Sequence, residues 1–495
     1  MAIRESIIYW DSFVRHNGET LFMTKDGGVK YLNVIADKAG SVGSVGSAGA
    51  DGDSCGTGLA SGGSCGTTGS ACGSCGTGLA SGMLDGTVAK YAGGEVLRCP
   101  LTNANAKAIR ELFPFTRPVS HGGRPFTFGL GDRLGLASPG HLRLLKNTDV
   151  FPVLAQQSPR ELHLTGRTFD DMLSAAVWAV FQEGYRAGYG ADGDHLKTRG
   201  EVKTALDSGC TMITLDCSEH IPNGLGAVIK FTIDVYDEFI RGKGIDFELS
   251  IDETQTVTSP EDHRFVATGL QKAGVRITSL APRFCGEFQK GIDYRGDVKE
   301  FEKEFKTHAQ IAREYGYKLS IHSGSDKFAI FRTAYKETGK NIHVKTSGTY
   351  WLEALKLVAQ KEPGLFRGIF NCALANLKEA KKHYHITENT ANIPDIAGLA
   401  DDRLPSLLEQ DDARQVLHVT YGAILSSRCP DGVVQPLSCP DGVVQPLRCA
   451  DGNAQRPHCT DGFQFKDLIY RALDVYEPEY YAAVARHLSR HLEGA

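Results

Sequence analysis

The chain has 495 residues, 41% of them hydrophobic and 23% charged, which is ordinary for a globular protein with one large domain or two to three smaller ones. Its formal net charge of -5 gives no electrostatic footprint for nucleic acid, which argues against a nucleic-acid partner. The sequence shows neither a signal peptide nor an apolar run of about eighteen residues, so we expect no membrane partner and a cytoplasmic location with reduced thiols.

Two segments of unusual composition interrupt the sequence. Residues 40–82 are almost entirely Gly, Ser, Ala, Thr and Cys, and residues 429–460 repeat Cys-x-Asp-Gly. We interpret both as flexible loop insertions, because glycine-rich stretches and Pro-Asp-Gly turns favour loops. The less favoured alternative for the first segment is a zinc site. Its ligands would be Cys55, Cys65, Cys72 and Cys75.

The rest of the chain divides into three predicted parts. Residues 1–120 are an N-terminal extension that contains the first insertion, residues 121–390 a catalytic barrel, and residues 391–495 a helical C-terminal region with the second insertion. A helix is expected at Tyr480–Leu492, near the end of the chain.

Strand-like and helix-like segments alternate through the middle part, and all but the first two strands are separated by lengths that fit a helix. This order is typical of a (β/α)8 (TIM) barrel, whose usual size is about 250 residues. A doubly wound open sheet is the alternative, although the glycines at 129, 131 and 135 miss the dinucleotide-binding spacing. The predicted strands are Pro125–Asp132, Asp149–Gln156, Gly188–Asp194, Met212–Asp216, Phe247–Asp252, Val275–Leu280, the strand from Lys318 to His322, and Asn341–Thr346.

Nearly every predicted strand ends on an ionisable side chain. In a barrel of this type, the carboxyl ends of the strands carry the chemistry. Alternation places Asp252, His322 and Lys345 on the polar faces of their strands, directed towards a common axis. A barrel that merely folds does not need such groups, so we predict a functional site at these ends.

Carboxylates and imidazoles together predict a divalent metal site, for which Zn, Mn, Ni and Co are candidates. The ligands favoured are His195, Glu253 and His322. Asp252 competes with Glu253, because adjacent strand residues cannot both point inwards, and His220 and Asp216 are substitutes for His195. An ion-pair network without metal is the alternative reading of the same residues.

Five ordered motifs between about residues 100 and 389 resemble the tagaturonate epimerase family, some members of which also act on the neutral ketoses tagatose and fructose. The resemblance implies an isomerase that is metal-dependent and acts on a sugar acid or a ketose. The motifs are Phe128–Gly135, Gly190–Lys197, Thr214–His220, Ser250–Thr254 and Ile321–Phe328.

The epimerised carbon of these sugars is not adjacent to the ketone, so abstraction of a proton next to the ketone cannot invert it. Retro-aldol cleavage and re-addition is favoured over transient oxidation, because a nucleotide fingerprint is lacking. Asp194 or Asp252 is predicted as the catalytic base, and Lys345 or Arg133 as the group that holds the substrate carboxylate. The predicted substrate-binding residues are Asp132, Arg133, Lys197, Asp326, Lys327 and Lys345.

Three alternatives stay open at this point. Lys345 could instead form a Schiff base in a metal-free aldol reaction. A sugar aldolase or isomerase on the same barrel and a non-catalytic carbohydrate-binding barrel are the other two. The sequence also leaves open whether the protein forms a homo-oligomer.

Overall fold

The computed structural model of the protein describes residues 6–37, 80–91, 94–254, 256–429 and 463–495. The cysteines of the possible zinc site and nearly all of the second insertion lie outside these residues. Among the described residues, Cys99, Cys210, Cys217, Cys285 and Cys372 are free thiols.

An antiparallel sheet of five strands occupies the N-terminal region, where the sequence analysis predicted only an extension. Its strand order is β1-β2-β3-β5-β4. Leu21, Met23 and Leu32 on one face of the sheet pack with Val177 and Phe181 of the barrel wall. The strands are β1 (Ile7–His16), β2 (Glu19–Asp26), β3 (Val29–Ala36), β4 (Thr87–Tyr91) and β5 (Gly94–Pro100).

Eight parallel strands close into a barrel, which confirms the predicted (β/α)8 fold. Seven of the strands lie at or within three residues of the predicted bounds, and the sixth begins four residues late. The reason is that Val275 closes the preceding helix, where its N–H donates to the Leu270 carbonyl after Gly274 at φ 67°. The strands are β6 (Phe126–Leu130), β7 (Phe151–Gln157), β8 (Gly190–Leu196), β9 (Met212–Asp216), β10 (Asp246–Ile251), β11 (Ser279–Pro282), β12 (Lys318–Ile321) and β13 (Ile342–Thr346).

Helices surround the barrel and continue into the C-terminal region. The predicted helix Val298–Tyr315 has the same bounds in the structure, because Asp297 caps its start and Gly316 ends it at φ 78°. The α-helices are α1 (Asn103–Leu112), α2 (Ser138–Leu145), α3 (Pro159–Thr165), α4 (Phe169–Gln182), α5 (Arg199–Ser208), α6 (Leu225–Val235), α7 (Pro260–Lys272), α8 (Val298–Tyr315), α9 (Phe328–Thr338), α10 (Thr349–Lys361), α11 (Pro363–Ala380), α12 (Asp411–Val419), α13 (Tyr421–Ser426), α14 (Phe465–Val475) and α15 (Glu477–His491). Among the described residues, no helix is both long enough and apolar enough to cross a membrane.

Helix α15 is fastened to the loop after β12 by a buried ionic network. The Asp326 carboxylate lies 2.6 Å from His487 Nε2 and 2.6 Å from an Arg414 nitrogen. The other nitrogen of His487 lies 3.0 Å from the Glu353 carboxylate. Burial lowers the pKa of His487, but the two carboxylates outweigh it and raise the pKa to about 9. The imidazole is therefore protonated at neutral pH.

This network makes the stability of the fold decrease as the pH rises into the alkaline range. Folding raises the pKa of His487 from 6.5 to about 9. The stabilisation that the protonated imidazole gives to the fold is therefore fully present below about pH 6.5 and is lost as the pH rises through about 9. We expect this to remove on the order of 3 kcal/mol of stability. Urea-unfolding midpoints between pH 6 and 10 measure the decline, which should be much smaller in His487→Gln. The exposed His385→Gln serves as control, and an equal decline in wild type and His487→Gln would contradict the assignment.

Candidate active site

Three predicted site residues meet at the carboxyl ends of β8, β10 and β12. His195, Asp252 and His322 each offer a ligand atom, and these atoms lie within 4.8 Å of one another. The two imidazole rings are 4.7 Å apart between centroids. The cluster faces the barrel mouth, since His195 and Asp252 are half-buried while His322 is buried beneath them.

A local irregularity in β8 brings His195 into the mouth. Simple alternation would place Asp194 and His195 on opposite faces of the strand. Instead the pairing of β8 with β9 shifts register between Gly193 and Leu196, and His195 has a positive φ of 53°. Such bulges redirect side chains near active sites. Here the bulge allows both residues to face the barrel interior.

Each histidine of the cluster is held on one side by a buried carboxylate. Asp194 Oδ1 lies 2.8 Å from His195 Nδ1, and Glu248 Oε1 lies 2.7 Å from His322 Nε2. The second nitrogen of His322, Nδ1, lies 3.1 Å from Asp252 Oδ1. Asp194 and Glu248 thus fix the ring orientations and leave the opposite ring nitrogens directed to the cluster.

Lys345 forms ion pairs with three carboxylates beneath the cluster. Its ammonium lies 2.6 Å from Asp192, 2.7 Å from Asp194 and 3.0 Å from Glu248. It also donates to the Thr214 hydroxyl. Although burial lowers the pKa of Lys345, these three carboxylates raise it overall, so the amine carries a proton.

The sequence analysis missed Asp192 and Glu248, which are buried in the floor of the site. Glu248 shares the parity of Ser250 and Asp252, and Asp192 that of Asp194, so the alternation that identified the strand ends would have reached them as well. Burial raises the pKa of Asp192 to about 6 in spite of Lys345. The pKa of Glu248 is held well below its usual range, because Lys345 and His322 outweigh its burial.

Glu253 lies at the rim, outside the imidazole cluster. Its side chain is 35% exposed, and its nearest cations are loosely placed, Lys197 at 3.7 Å and Arg160 at 3.8 Å. Burial raises the pKa of Glu253, but His195 and these cations lower it overall. The structure thus brings Asp252, and not Glu253, together with the two histidines.

The two substitute ligands lie elsewhere. His220 stacks on Phe231, with ring centroids 4.1 Å apart. Asp216 lies 3.3 Å from Lys197 and accepts a hydrogen bond from the Ser218 N–H. Neither residue belongs to the imidazole cluster.

The remaining predicted substrate-binding residues are engaged within the protein. Asp132 accepts hydrogen bonds from the N–H groups of residues 134, 135 and 137, which braces the loop after β6. Arg133 pairs with Glu161 at 3.0 Å and lies over the Tyr421 ring. Lys327 donates to three backbone carbonyls, and burial lowers its pKa to about 7.

Comparison with known proteins matches the chain to a family. A model of the tagaturonate epimerase family matches residues 79–228 and 224–435. The tagaturonate/fructuronate epimerase of Thermotoga maritima is 36% identical over 447 residues, which cover 80% of this chain and 85% of that protein.

Solved structures agree with the sequence comparison. Fructuronate-tagaturonate epimerase from Cohnella laeviribosi, as a complex with one glycerol, is 36% identical and superposes with a TM-score of 0.81 over 99% of this chain and 96% of that one. Its native crystal structure matches with the same TM-score, identity and coverage. The enzymatic class predicted from the five motifs, a carbohydrate epimerase, is confirmed. The chain therefore belongs to the tagaturonate epimerase family.

Proposed function

We propose that the protein interconverts tagaturonate and fructuronate at a divalent metal ion held by His195, Asp252 and His322. The observation that carries this proposal is that both imidazoles are backed by buried carboxylates, 2.8 and 2.7 Å away, while Asp252 joins them at the mouth. Carboxylate-backed imidazoles are the usual outer shell of metal sites. Zn, Mn, Ni and Co all accept such mixed nitrogen and oxygen ligands.

The protonation chemistry of the cluster fits this ligand set. Asp252 and Glu248 outweigh burial and raise the pKa of His322 to about 10, so without a metal the ring carries an extra proton between two carboxylates. A metal cation takes the place of that proton, and its affinity therefore falls with decreasing pH. This proposal makes Asp252 a metal ligand in place of Glu253, which the sequence analysis favoured over Asp252.

We propose the retro-aldol route for this reaction, in which a carbon–carbon bond breaks and forms again. A base removes the proton of the hydroxyl group on the carbon to be inverted, and that carbon becomes an aldehyde. The bond to the carbon next to the ketone breaks, and its electron pair forms an enolate. Rotation of the aldehyde followed by re-addition gives the other epimer, and the base returns the proton. A bound divalent metal supplies Lewis-acid polarisation of the ketone oxygen.

Glu253 is the carboxylate best placed to act as this base. It follows Asp252 directly, lies at the open mouth, and its two ion pairs are long enough to exchange for a substrate hydroxyl. Asp194, one of the bases predicted from the sequence, is already shared between His195 and Lys345. We therefore assign Asp194 the role of orienting His195, and Asp252 that of a ligand.

Lys345 suits an electrostatic role better than Schiff-base chemistry. An amine must lose its proton before it attacks a carbonyl. Three carboxylates within 3.0 Å hold the proton on Lys345, and the ammonium lies beneath the imidazoles. A cytoplasmic location stays a prediction from the sequence.

Metal removal tests the proposal directly. We expect chelation to abolish epimerisation of tagaturonate, and add-back of Zn, Mn, Ni or Co to restore it with about one ion per chain. Activity is followed by chromatography of the two sugar acids, and metal content by elemental analysis. Full activity in metal-free protein would contradict the metal site, and steady release of three-carbon fragments would indicate an aldolase instead.

Substitution of two neighbouring residues separates ligand from base. We expect Asp252→Asn to lose most of the bound metal, because it removes a charged ligand, and Glu253→Gln to keep it while kcat falls about 10²–10⁴-fold. Glu219→Gln is the control, since Glu219 also lies near Lys197 but is 68% exposed. A Glu253→Gln enzyme with wild-type kcat would exclude Glu253 as the base.

A further inference from the structure

A second group of charges lies at the rim of the barrel mouth, on the segments that follow two other strands, β7 and β11. Lys290 lies in the loop after β11 and donates to the Ser323 hydroxyl at 2.8 Å, next to the cluster residue His322. Arg160, after β7, lies 3.8 Å from Glu253, next to the cluster residue Asp252. Each cation thus contacts the residue that follows a member of the imidazole cluster in the chain.

Lys290 differs from Lys197 and Lys345 in its partners. Lys345 has carboxylates at hydrogen-bond distance, whereas in the described part of the chain no carboxylate lies within ion-pair distance of the Lys290 ammonium, whose hydrogen-bond partner is a neutral hydroxyl. The Lys290 side chain is half-buried, so bulk water solvates it only in part. Burial and the nearby Arg160 lower the pKa of Lys290, which indicates a cation short of negative neighbours.

The charges around Lys290 do not cancel. Besides burial, Arg160 and Arg133 lower the pKa of Lys290, and Glu161 and Glu253 raise it. Glu161 is paired with Arg133 at 3.0 Å, and Lys197, which also lies 3.7 Å from Glu253, has Asp216 at 3.3 Å. Lys290 and Arg160 are therefore left to share the loosely held Glu253. Three cations against two carboxylates leave one positive charge, and a bound carboxylate would neutralise it.

We propose that Lys290 and Arg160 bind the terminal carboxylate of the sugar acid and thereby set the preference for a uronate over a neutral ketose. This inference rests on the proposed function, because it orients the substrate with its ketone at the imidazole cluster. Glu253 lies between that cluster and Arg160, as the inverted carbon lies between ketone and carboxylate in the substrate. Arg133 and Lys345, the carboxylate-binding candidates from the sequence, are neutralised by the protein's own carboxylates.

The test compares tagaturonate with tagatose, which lacks the carboxylate. Binding to the metal-loaded enzyme is measured from the rise of Tm with sugar concentration, a readout that needs no turnover. KM and kcat are measured for both sugars. We expect Lys290→Met to weaken tagaturonate binding about 10- to 100-fold, the value of a charged hydrogen bond, with tagatose changed less than about twofold. Lys290→Arg should recover most of the loss.

Two further variants keep the outcome decisive. Arg160→Gln, at a side chain 42% exposed and therefore tolerant of substitution, should lower tagaturonate affinity about tenfold even if Lys290→Met fails to fold. Lys299→Met, an exposed lysine just beyond the same loop, should leave both affinities unchanged. Retained preference for tagaturonate in both Lys290→Met and Arg160→Gln would overturn the inference.

The wild-type enzyme separates this inference from the proposed function. Equal affinity for tagaturonate and tagatose, together with epimerisation of both, would refute the carboxylate site and leave the epimerase function intact. Preferential binding of tagaturonate without epimerisation would refute the function, while the loss of that preference in Lys290→Met would still support the carboxylate site.

Discussion

The protonated amine of Lys345 is the charge on which the barrel interior depends. Asp192, Asp194 and Glu248 converge in a space with almost no access to water, and their mutual repulsion is tolerable because one ammonium lies within 3.0 Å of all three. Loss of one partner from a buried ion pair typically costs about 3–5 kcal/mol. Two of these carboxylates also hold His195 and His322. Folding of the barrel and placement of the imidazoles therefore depend on the same lysine.

The alternation of strands and helices along the chain was sufficient to predict the barrel, and the alternation of side chains within each strand identified part of the candidate site. The period of two identified His322, Asp252 and Lys345, and it would have reached Glu248 had it been followed deeper into β10. It could not predict that Asp194 and His195 both face inwards, because that follows from a register shift between β8 and β9, a local event without a sequence period. Lys290 was beyond reach for a similar reason, since it lies in an irregular loop. The N-terminal sheet was within reach, because β1, β2 and β3 precede the first insertion and are joined by the hairpin turns Asn17–Gly18 and Gly27–Gly28.

The site is organised in layers from floor to rim. Charges in the floor are buried and paired at hydrogen-bond distance, as between Lys345 and Asp192. The middle layer holds the two imidazoles and Asp252, the residues that we propose as metal ligands. At the rim the pairs of Glu253 are nearly 4 Å long and partly exposed. This order matches a substrate with a ketone at one end and a carboxylate at the other.

The ion pairs at the rim can exchange partners more easily than those in the floor. Exposed ion pairs contribute about 0–1 kcal/mol, so Arg160 can exchange Glu253 for a substrate carboxylate at little cost in stability. A floor residue such as Lys345 cannot make that exchange, because it would leave a buried carboxylate unpaired. Substitutions at the rim can therefore shift preference between sugar acids and neutral ketoses while the imidazole cluster and the barrel stay unchanged. One barrel can in this way serve related substrates through its loops alone.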